Sequence, residues 1–354
     1  MRFKYESVTC AIRLLLFCFL LLSPFTVLPV VDCQSSITAQ MLSEISESEI
    51  YNSTLALQNF QTRKYGYAGN VNASTWILNE LSNMTRLTVE YQGTYNNVIA
   101  TLKGWNQTAN FFIMVGAHYD STSSDPNNAP GCTDNGGGCG IVLELARIMA
   151  QYWFNYTVKF AFWNYEEGGL HGSSDYVAYA KANHLNISLY FNYDSTCYDP
   201  DDRFILDIMY NNQSQWVSDR MTTYNSLYSI GFNLTYNVHS SCSSDHVPFR
   251  SNGYTTIFTH EETHGPSHTI YDTIDKVSTA YARKNAQMGL AVLADLAEVQ
   301  KSAADINGDG IVDALDLRDL GENFQTSDLN SDLNMDGVVD VEDLKILRCR
   351  FGNA

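Results

Sequence analysis

The sequence predicts an α/β fold, a mostly parallel sheet flanked by helices, followed by a small helical module built on two acidic loops. Three observations lead there. The run at 111–117 is apolar throughout and that at 158–163 nearly so, as strands covered on both sides require. Segments with apolar residues at helical spacing separate such runs, and strands alternating with helices argue for a parallel sheet. From Asp305 onward the composition turns acidic, and one twelve-residue carboxylate pattern occurs twice.

The elements follow in chain order. Met41, Leu42, Ile45, Ile50 and Leu55 predict one helix over 37–60. The alternation over 97–102 predicts a strand, and 111–117 a buried one. Ile141, Leu143, Leu145, Ile148 and Met149 predict a helix over 140–152. A second buried strand at 158–163 precedes a helix over 171–183. Further strands are predicted at 189–193, 204–209 and 255–259, and a long helix at 278–299 closes the domain. Near 300 the composition changes with almost no linker: residues 301–354 carry 12 acidic and 5 basic residues. The predicted division is a signal peptide at 1–35, a main α/β domain at 36–300 and an acidic module at 301–354.

The chain has 354 residues, 45% of them hydrophobic, with 39 Asp+Glu against 21 Lys+Arg and a net charge of −18. A field of that sign repels phosphate backbones and attracts cations, which argues against a nucleic-acid partner. The aromatic content of 12% is too high for a disordered polyelectrolyte. A basic start at Arg2, Lys4 and Arg13, followed by an apolar run from Leu14 to Val31, reads as a secretion signal, an uncleaved anchor being the alternative. A secreted protein with no membrane contact after cleavage is the expectation. Eight Asn-x-Ser/Thr sites, at Asn52, Asn72, Asn83, Asn106, Asn155, Asn186, Asn212 and Asn233, then read as glycan acceptors. In an exported protein Cys132 and Cys139 are close enough to pair across a Gly-rich loop, and Cys197 and Cys242 could pair in space, leaving Cys349 odd.

The polar clusters all follow strand-like runs. They are Gly116-Ala117-His118-Tyr119-Asp120-Ser121, the Gly131–Gly138 segment around Asp134, Glu166-Glu167-Gly168-Gly169-Leu170-His171-Gly172, Asn192-Tyr193-Asp194, and His268-Thr269-Ile270-Tyr271-Asp272-Thr273. In open α/β sheets ligands bind beyond the carboxyl ends of the strands. Zinc takes His nitrogen and carboxylate oxygen. Two histidines and three carboxylates can hold two ions if one carboxylate bridges, and ions about 3.5–4 Å apart can clamp both oxygens of a hydrolysis. One carboxylate must stay free to take the proton of water, and adjacent Glu166 and Glu167 suit that division. Asp120 is placed to hold the second ring nitrogen of His118.

In these clusters the chain resembles metallopeptidase family twenty-eight, the secreted leucyl-type aminopeptidases with two co-catalytic zinc ions. Five motif stations occur in order between about residues 60 and 297, and Ser244-Asp245-His246-Val247-Pro248-Phe249 also fits. The resemblance implies a zinc exopeptidase fold and an enzyme that removes N-terminal residues from peptides with a free N-terminus. It makes His118 and Asp194 ligands of one zinc, Glu167 and His268 ligands of the other, Asp134 the bridge, Glu166 the general base and Asp120 the carboxylate behind His118. Tyr165 stands where the family has Ala. His171 and His246 are further histidines near the site, with supporting rather than ligand roles. Relatives of this fold include metallocarboxypeptidases and one-zinc glutaminyl cyclases, which are the alternative activities. A non-catalytic binding protein on this fold would be expected to lack a ligand or Glu166, and none is missing.

In the acidic module, Asp305, Asn307, Asp309, Asp313 and Asp316 stand at positions 1, 3, 5, 9 and 12 of a loop with Gly310 at position 6. Asp332, Asn334, Asp336, Asp340 and Asp343 repeat the pattern 27 residues later around Gly337. Ile311 and Val338 would add backbone oxygens, so two structural calcium ions are expected. Asp at position 12 and the lack of a clear helix before each loop resemble the type I dockerin module, which implies a cohesin-bearing partner protein.

Overall fold

The computed structural model describes residues 33–106, 108–238, 243–263 and 265–351. The predicted leader therefore lies almost wholly outside the described residues, as do Cys242, His239 and His264. Among the described residues no helix is long and apolar enough to cross a membrane.

The chain opens with two helices, α1 (Cys33–Ser43) and α2 (Glu47–Gln58), where the sequence predicts one. The break has a local cause. Ser46 is extended and its hydroxyl accepts from the Glu49 amide, so it caps a new helix rather than continuing the old one. Helix α3 (Ala68–Ser82) leads to strands β1 (Leu87–Gln92) and β2 (Asn97–Leu102). Then follow β3 (Phe112–His118), α4 (Gly137–Met149), β4 (Tyr152–Phe154), β5 (Thr157–Trp163), α5 (His171–Ala182), β6 (Ile187–Tyr193) and β7 (Ile205–Tyr210). The rest comprises α6 (Gln215–Leu227), β8 (Asn233–Val238), α7 (His246–Ser251), β9 (Thr256–Glu261), α8 (Thr279–Leu296), β10 (Val299–Ser302), α9 (Ala314–Glu322) and α10 (Val341–Arg350).

Eight strands form one sheet in the order β1-β2-β5-β3-β6-β9-β7-β8. The central run β5-β3-β6-β9 is parallel, as predicted, but β1, β2 and β7 pair antiparallel, so the sheet is mixed. Strand β3 is buried along its whole length. Ile113, Val115 and Ala117 point into one core, with α1, α2, α4 and α8, while Phe112 and Met114 point into the other, under α5 and α7. This period-two division with no polar face is what the uninterrupted apolar run encodes. The four parallel strands end on one rim, and the site is built there.

The acidic segment has a third core of its own, in which Ile306, Val312, Leu320, Leu333, Val339, Ile346 and Leu347 gather with Trp153. Strand β10 pairs antiparallel with β4, and Arg350 forms an ion pair with Glu44 at 2.7 Å. The composition change near 300 is thus a packed junction.

The expected disulfides are not formed. Cys132, Cys139 and Cys197 are buried free thiols. The Cys132 thiol donates to Gln58 Oε1 and that of Cys139 to the His118 carbonyl, both at 3.1 Å. Burial raises both thiols to about 12, so they stay protonated. Closeness in sequence suggested a bridge, but the helical turn between the two gives each thiol a different acceptor.

Candidate metal centre

His118 is the last residue of β3, Glu166 and Glu167 lie in the turn after β5, and Asp194 directly follows β6. Asp134 sits in the turn Cys132–Gly136 that feeds α4, and His268 in the loop after β9. Five separate stretches of chain thus deliver the six side chains to one rim. The Asp134 carboxylate faces both ways: Oδ1 is 3.3 Å from His118 Nε2, and Oδ2 is 3.2 Å from His268 Nε2. His118 Nε2 also lies 3.4 Å from Asp194 Oδ1 and 3.9 Å from Glu166 Oε2. His268 Nε2 lies 3.0 Å from Glu167 Oε2. Among the described residues, two groups of side chains converge closely enough to hold an ion: His118, Glu166 and Asp194 in one, Asp134, Glu167 and His268 in the other. The loop carboxylates of the acidic segment form no such group.

The centre is braced by carboxylates that do not join it. Asp120 accepts from the amides of Glu166 at 3.0 Å and Glu167 at 3.2 Å, and its Oδ1 lies 3.6 Å from His118 Nδ1. The backbone carbonyl of Asp120 is closer to that nitrogen, at 3.1 Å, so the ring is held chiefly by the main chain. Asp272 takes the amides of Thr133 and Asp134 and the Thr133 hydroxyl. In the sequence Asp272 is visible only as part of the His268–Thr273 motif, with no task assigned to it. Asp245 likewise has no task assigned from sequence, and in the structure it is fully buried with no hydrogen bond to either carboxylate oxygen. The signal for Asp272 was its fixed distance from His268. For Asp245 it was a carboxylate between Ser244 and His246 just before an apolar turn.

Neither further histidine is in the ion-holding groups. His171 stacks on Tyr165 at 4.6 Å, and Tyr165 stacks in turn on Tyr65 at 4.1 Å. Tyr165, the departure from the family pattern, thus belongs to an aromatic pile beside the Glu166 turn. His246 stacks on Phe258 at 4.7 Å, with both ring nitrogens unpaired.

The electrostatics favour cations. Burial pushes Glu166 up to about 10, with Asp194 and Asp245 adding to the rise and His118 opposing it. Burial likewise raises Glu167 to about 7. Burial would raise Asp134 too, but hydrogen bonds from His118 and His268 hold it well below the usual carboxylate range. His268 is raised to about 11 by Asp134 and then Glu167. Protons here stand in for the positive charge the cluster lacks, and a divalent ion on each side would replace them. Glu167 Oε1 is buried without a partner, as a ligand oxygen awaiting an ion would be. The cleft over this rim has a volume of about 530 Å³ and is lined also by Leu170, Ser195, Phe258, His260 and Ser267.

A mixed sheet with a histidine and carboxylate centre at the ends of its parallel strands defines a zinc-dependent exopeptidase. Residues 97–293, more than half of the chain, match the sequence profile described as Peptidase family M28, and the chain belongs to that family. It is a metalloexopeptidase acting on peptides. Leucine aminopeptidase 1 of Paracoccidioides brasiliensis is 26% identical over 290 residues, 73% of each chain. A probable aminopeptidase of Saccharomyces cerevisiae is 26% identical over 281 residues, 72% of this chain and 74% of the yeast one. Among solved structures, LapB from Legionella pneumophila superposes with a TM-score of 0.67 at 19% identity, covering 75% of each chain. An Acidobacteriales glutaminyl cyclase superposes with a TM-score of 0.62 at 16% identity, over 72% of this chain and 95% of its own. At these identities the structural likeness shows the fold, and that fold is shared by both activities.

Proposed function

We propose that the protein is an aminopeptidase that removes N-terminal residues from peptides with two co-catalytic zinc ions and Glu166 as general base. The observation that carries this reading is the Asp134 carboxylate, whose two oxygens face two different imidazoles at 3.3 and 3.2 Å. In this reading His118 and Asp194 hold one ion, Glu167 and His268 the other, and Asp134 both. When bound, the ions would polarise the scissile carbonyl and acidify the attacking water. Glu166 takes the proton of that water and returns it to the departing amine. Without ions burial keeps Glu166 protonated, and cations bound beside it would lower it and leave a carboxylate able to take the proton. Asp120 holds the Glu166-Glu167 turn so that neighbouring residues keep different tasks.

The choice of the N-terminal end rests on charge. No Arg or Lys lines the cleft among the described residues, and an arginine fork is the usual partner of a terminal carboxylate. An ammonium group suits the carboxylate-rich rim. The test is a panel of free-amine and N-acetylated peptides, with and without chelator. Free-amine peptides should lose residues from the N-terminus, acetylated ones should persist, and zinc should restore chelated enzyme. Faster release of C-terminal residues, or cyclisation of N-terminal Gln without hydrolysis, would point to the sister activities.

For the acidic segment we infer a calcium-binding module at 301–354 that recognises a cohesin-type partner, attached to a catalytic domain at 36–300 of a secreted protein. Support comes from the repeated loop geometry. Asp316 accepts from Ile306 and Asn307, and Asp343 likewise from Leu333 and Asn334. Asp305 and Asp332 accept from Gly310 and Gly337 at the sixth position of each loop. Asp313 and Asp340 each cap the helix that follows. Isothermal titration of the full chain should find two calcium sites that a chain ending near residue 300 lacks.

A further inference from the structure

Arg63 is completely buried, yet no carboxylate bonds its guanidinium. Its donors go instead to three backbone carbonyls. Nε donates to Tyr119 at 2.7 Å, one terminal nitrogen to Pro130 at 2.6 Å and the other to Gly131 at 2.7 Å. Tyr119 directly follows His118, and Gly131 comes three residues before Asp134. A planar fork thus ties together the two ends of the loop that separates a metal-site histidine from the carboxylate it faces. A buried charge is costly unless fully hydrogen-bonded, and a guanidinium matches fixed acceptors in a way an ammonium does not. The backbone of Arg63 joins the same seam: its amide donates to Ser121 Oγ, and its carbonyl accepts from Asn70. Gly131 is left-handed at φ 53°, and a Cβ there would come 2.6 Å from the Asp134 carbonyl and 3.0 Å from the Arg63 guanidinium. The loop is therefore folded tightly onto the fork.

Asp272 grips the same loop further along. Oδ1 accepts the Thr133 amide and hydroxyl, both at 2.8 Å, and Oδ2 accepts the Asp134 amide at 3.0 Å. Its carbonyl accepts from the Cys132 amide at 3.0 Å. Asp272 lies four residues after His268, so the chain that carries the second imidazole also sets the height of Asp134.

We infer that Arg63 and Asp272 are positioning residues that clamp the 130–134 loop from both ends, presetting the Asp134 carboxylate between its two imidazoles before any ion arrives. Among the described residues neither belongs to an ion-holding group and neither lines the cleft. The inference rests on Asp134 being the shared ligand, and groups that orient ligands typically change metal affinity about 10–100-fold when altered.

The test is competition between the full-length protein and a chromophoric zinc chelator, read per folded molecule, alongside the Tm of the metal-free form. Arg63→Lys keeps the charge and loses the fork. Asp272→Asn keeps the shape and turns one acceptor into a donor facing an amide. Each should weaken zinc binding about 10–100-fold, with one ion lost before the other. If Arg63→Lys does not fold, Asp272→Asn decides. Zinc affinity at the wild-type value in folded variants with a lowered metal-free Tm would overturn the clamp and leave a purely structural role. Asp134→Asn, measured in parallel, should lose more zinc than either. If it keeps both ions at wild-type affinity, Asp134 is not the shared ligand, and that reading falls rather than the clamp alone.

Discussion

In the cleft, Asp134, Glu166, Glu167 and Asp194 crowd around two imidazoles; in the acidic segment, Asp305, Asp316, Asp332 and Asp343 turn onto the amides of their own loops. The two regions are equally rich in carboxylates and solve the problem of like charge differently. Loop amides spread the charge locally, and among the described residues of 303–351 no buried polar side-chain atom lacks a hydrogen bond. The centre and the core behind it instead keep oxygens of Glu167 and Asp245 buried and unpaired, and burial raises Glu166 and Glu167 far above their ordinary values. Carboxylates held by distant elements cannot relax onto their own backbone. Their demand for positive charge is therefore a property of the fold, which is what a catalytic centre requires.

The sharpest way to break this contrast is at Glu166. Glu166→Gln should lower turnover by about 10²–10⁴-fold while zinc content stays at the wild-type level. A lost ion with activity largely kept would make Glu166 a ligand and Glu167 the base. Next in size is Trp153→Ala, because that ring fills the third core and lies between Tyr152 and Phe154 of the main one. Removing a buried aromatic of this kind costs about 3–5 kcal/mol. Hydrogen exchange should show residues 303–351 losing protection while the strand end at His118 and the turn at Asp134 keep theirs. Equal loss in both would mean that the two regions unfold as one.

Much of this contrast is legible in the sequence, and for a physical reason. His118 directly follows an uninterrupted apolar run, and Glu166-Glu167 and Asp194 come just past the ends of two more strand-like runs, so the strand end and the ligand are read in one window. The loop repeat is equally local, since its acceptors and donors lie within about a dozen residues. What stays hidden is long-range. Arg63 reaches a carbonyl 56 positions away, and Asp272 an amide 139 positions away, and no local pattern announces either. The outer strand β8 was missed because it is exposed almost throughout and carries no clear apolar face. The disulfides were misread because spacing says nothing about which acceptors two thiols will meet. The antiparallel pairings of β1, β2 and β7 were invisible for a similar reason: direction is set by the connections, and apolar content does not encode it.

A smaller effect separates the regions by pH. Burial, helped by Arg250 and opposed by Asp194, lowers His246 to about 3. The ring is neutral in the folded chain, whereas the unfolded chain binds its proton below about 6.5. Stability from this group is thus fully present above pH 6.5 and is lost as pH falls toward 3, at about 1.4 kcal/mol per unit. Asp245, which burial raises to about 7, slopes the other way, so the effect is read as a difference between variants. His246→Phe keeps the stack on Phe258 and should flatten the fall between pH 6.5 and 4 in denaturant titrations. An unchanged acid limb would show that His246 is protonated in the fold. Smallest of all is Arg318→Ala in the acidic segment. Its partners, half-buried Asp319 and exposed Glu322, are neighbours on the same helix and Arg318 itself is exposed, so the Tm should not move.

The central claim is that one carboxylate, Asp134, is shared by two metal ions. It is tested most directly by anomalous diffraction at the zinc edge on crystals of the full chain after zinc has been added back. The account predicts two zinc peaks, each in contact with a different oxygen of Asp134, with His118 and Asp194 on one side and Glu167 and His268 on the other. A single, fully occupied peak held by Asp134, Glu167 and His268 alone, unchanged by excess zinc, would contradict it.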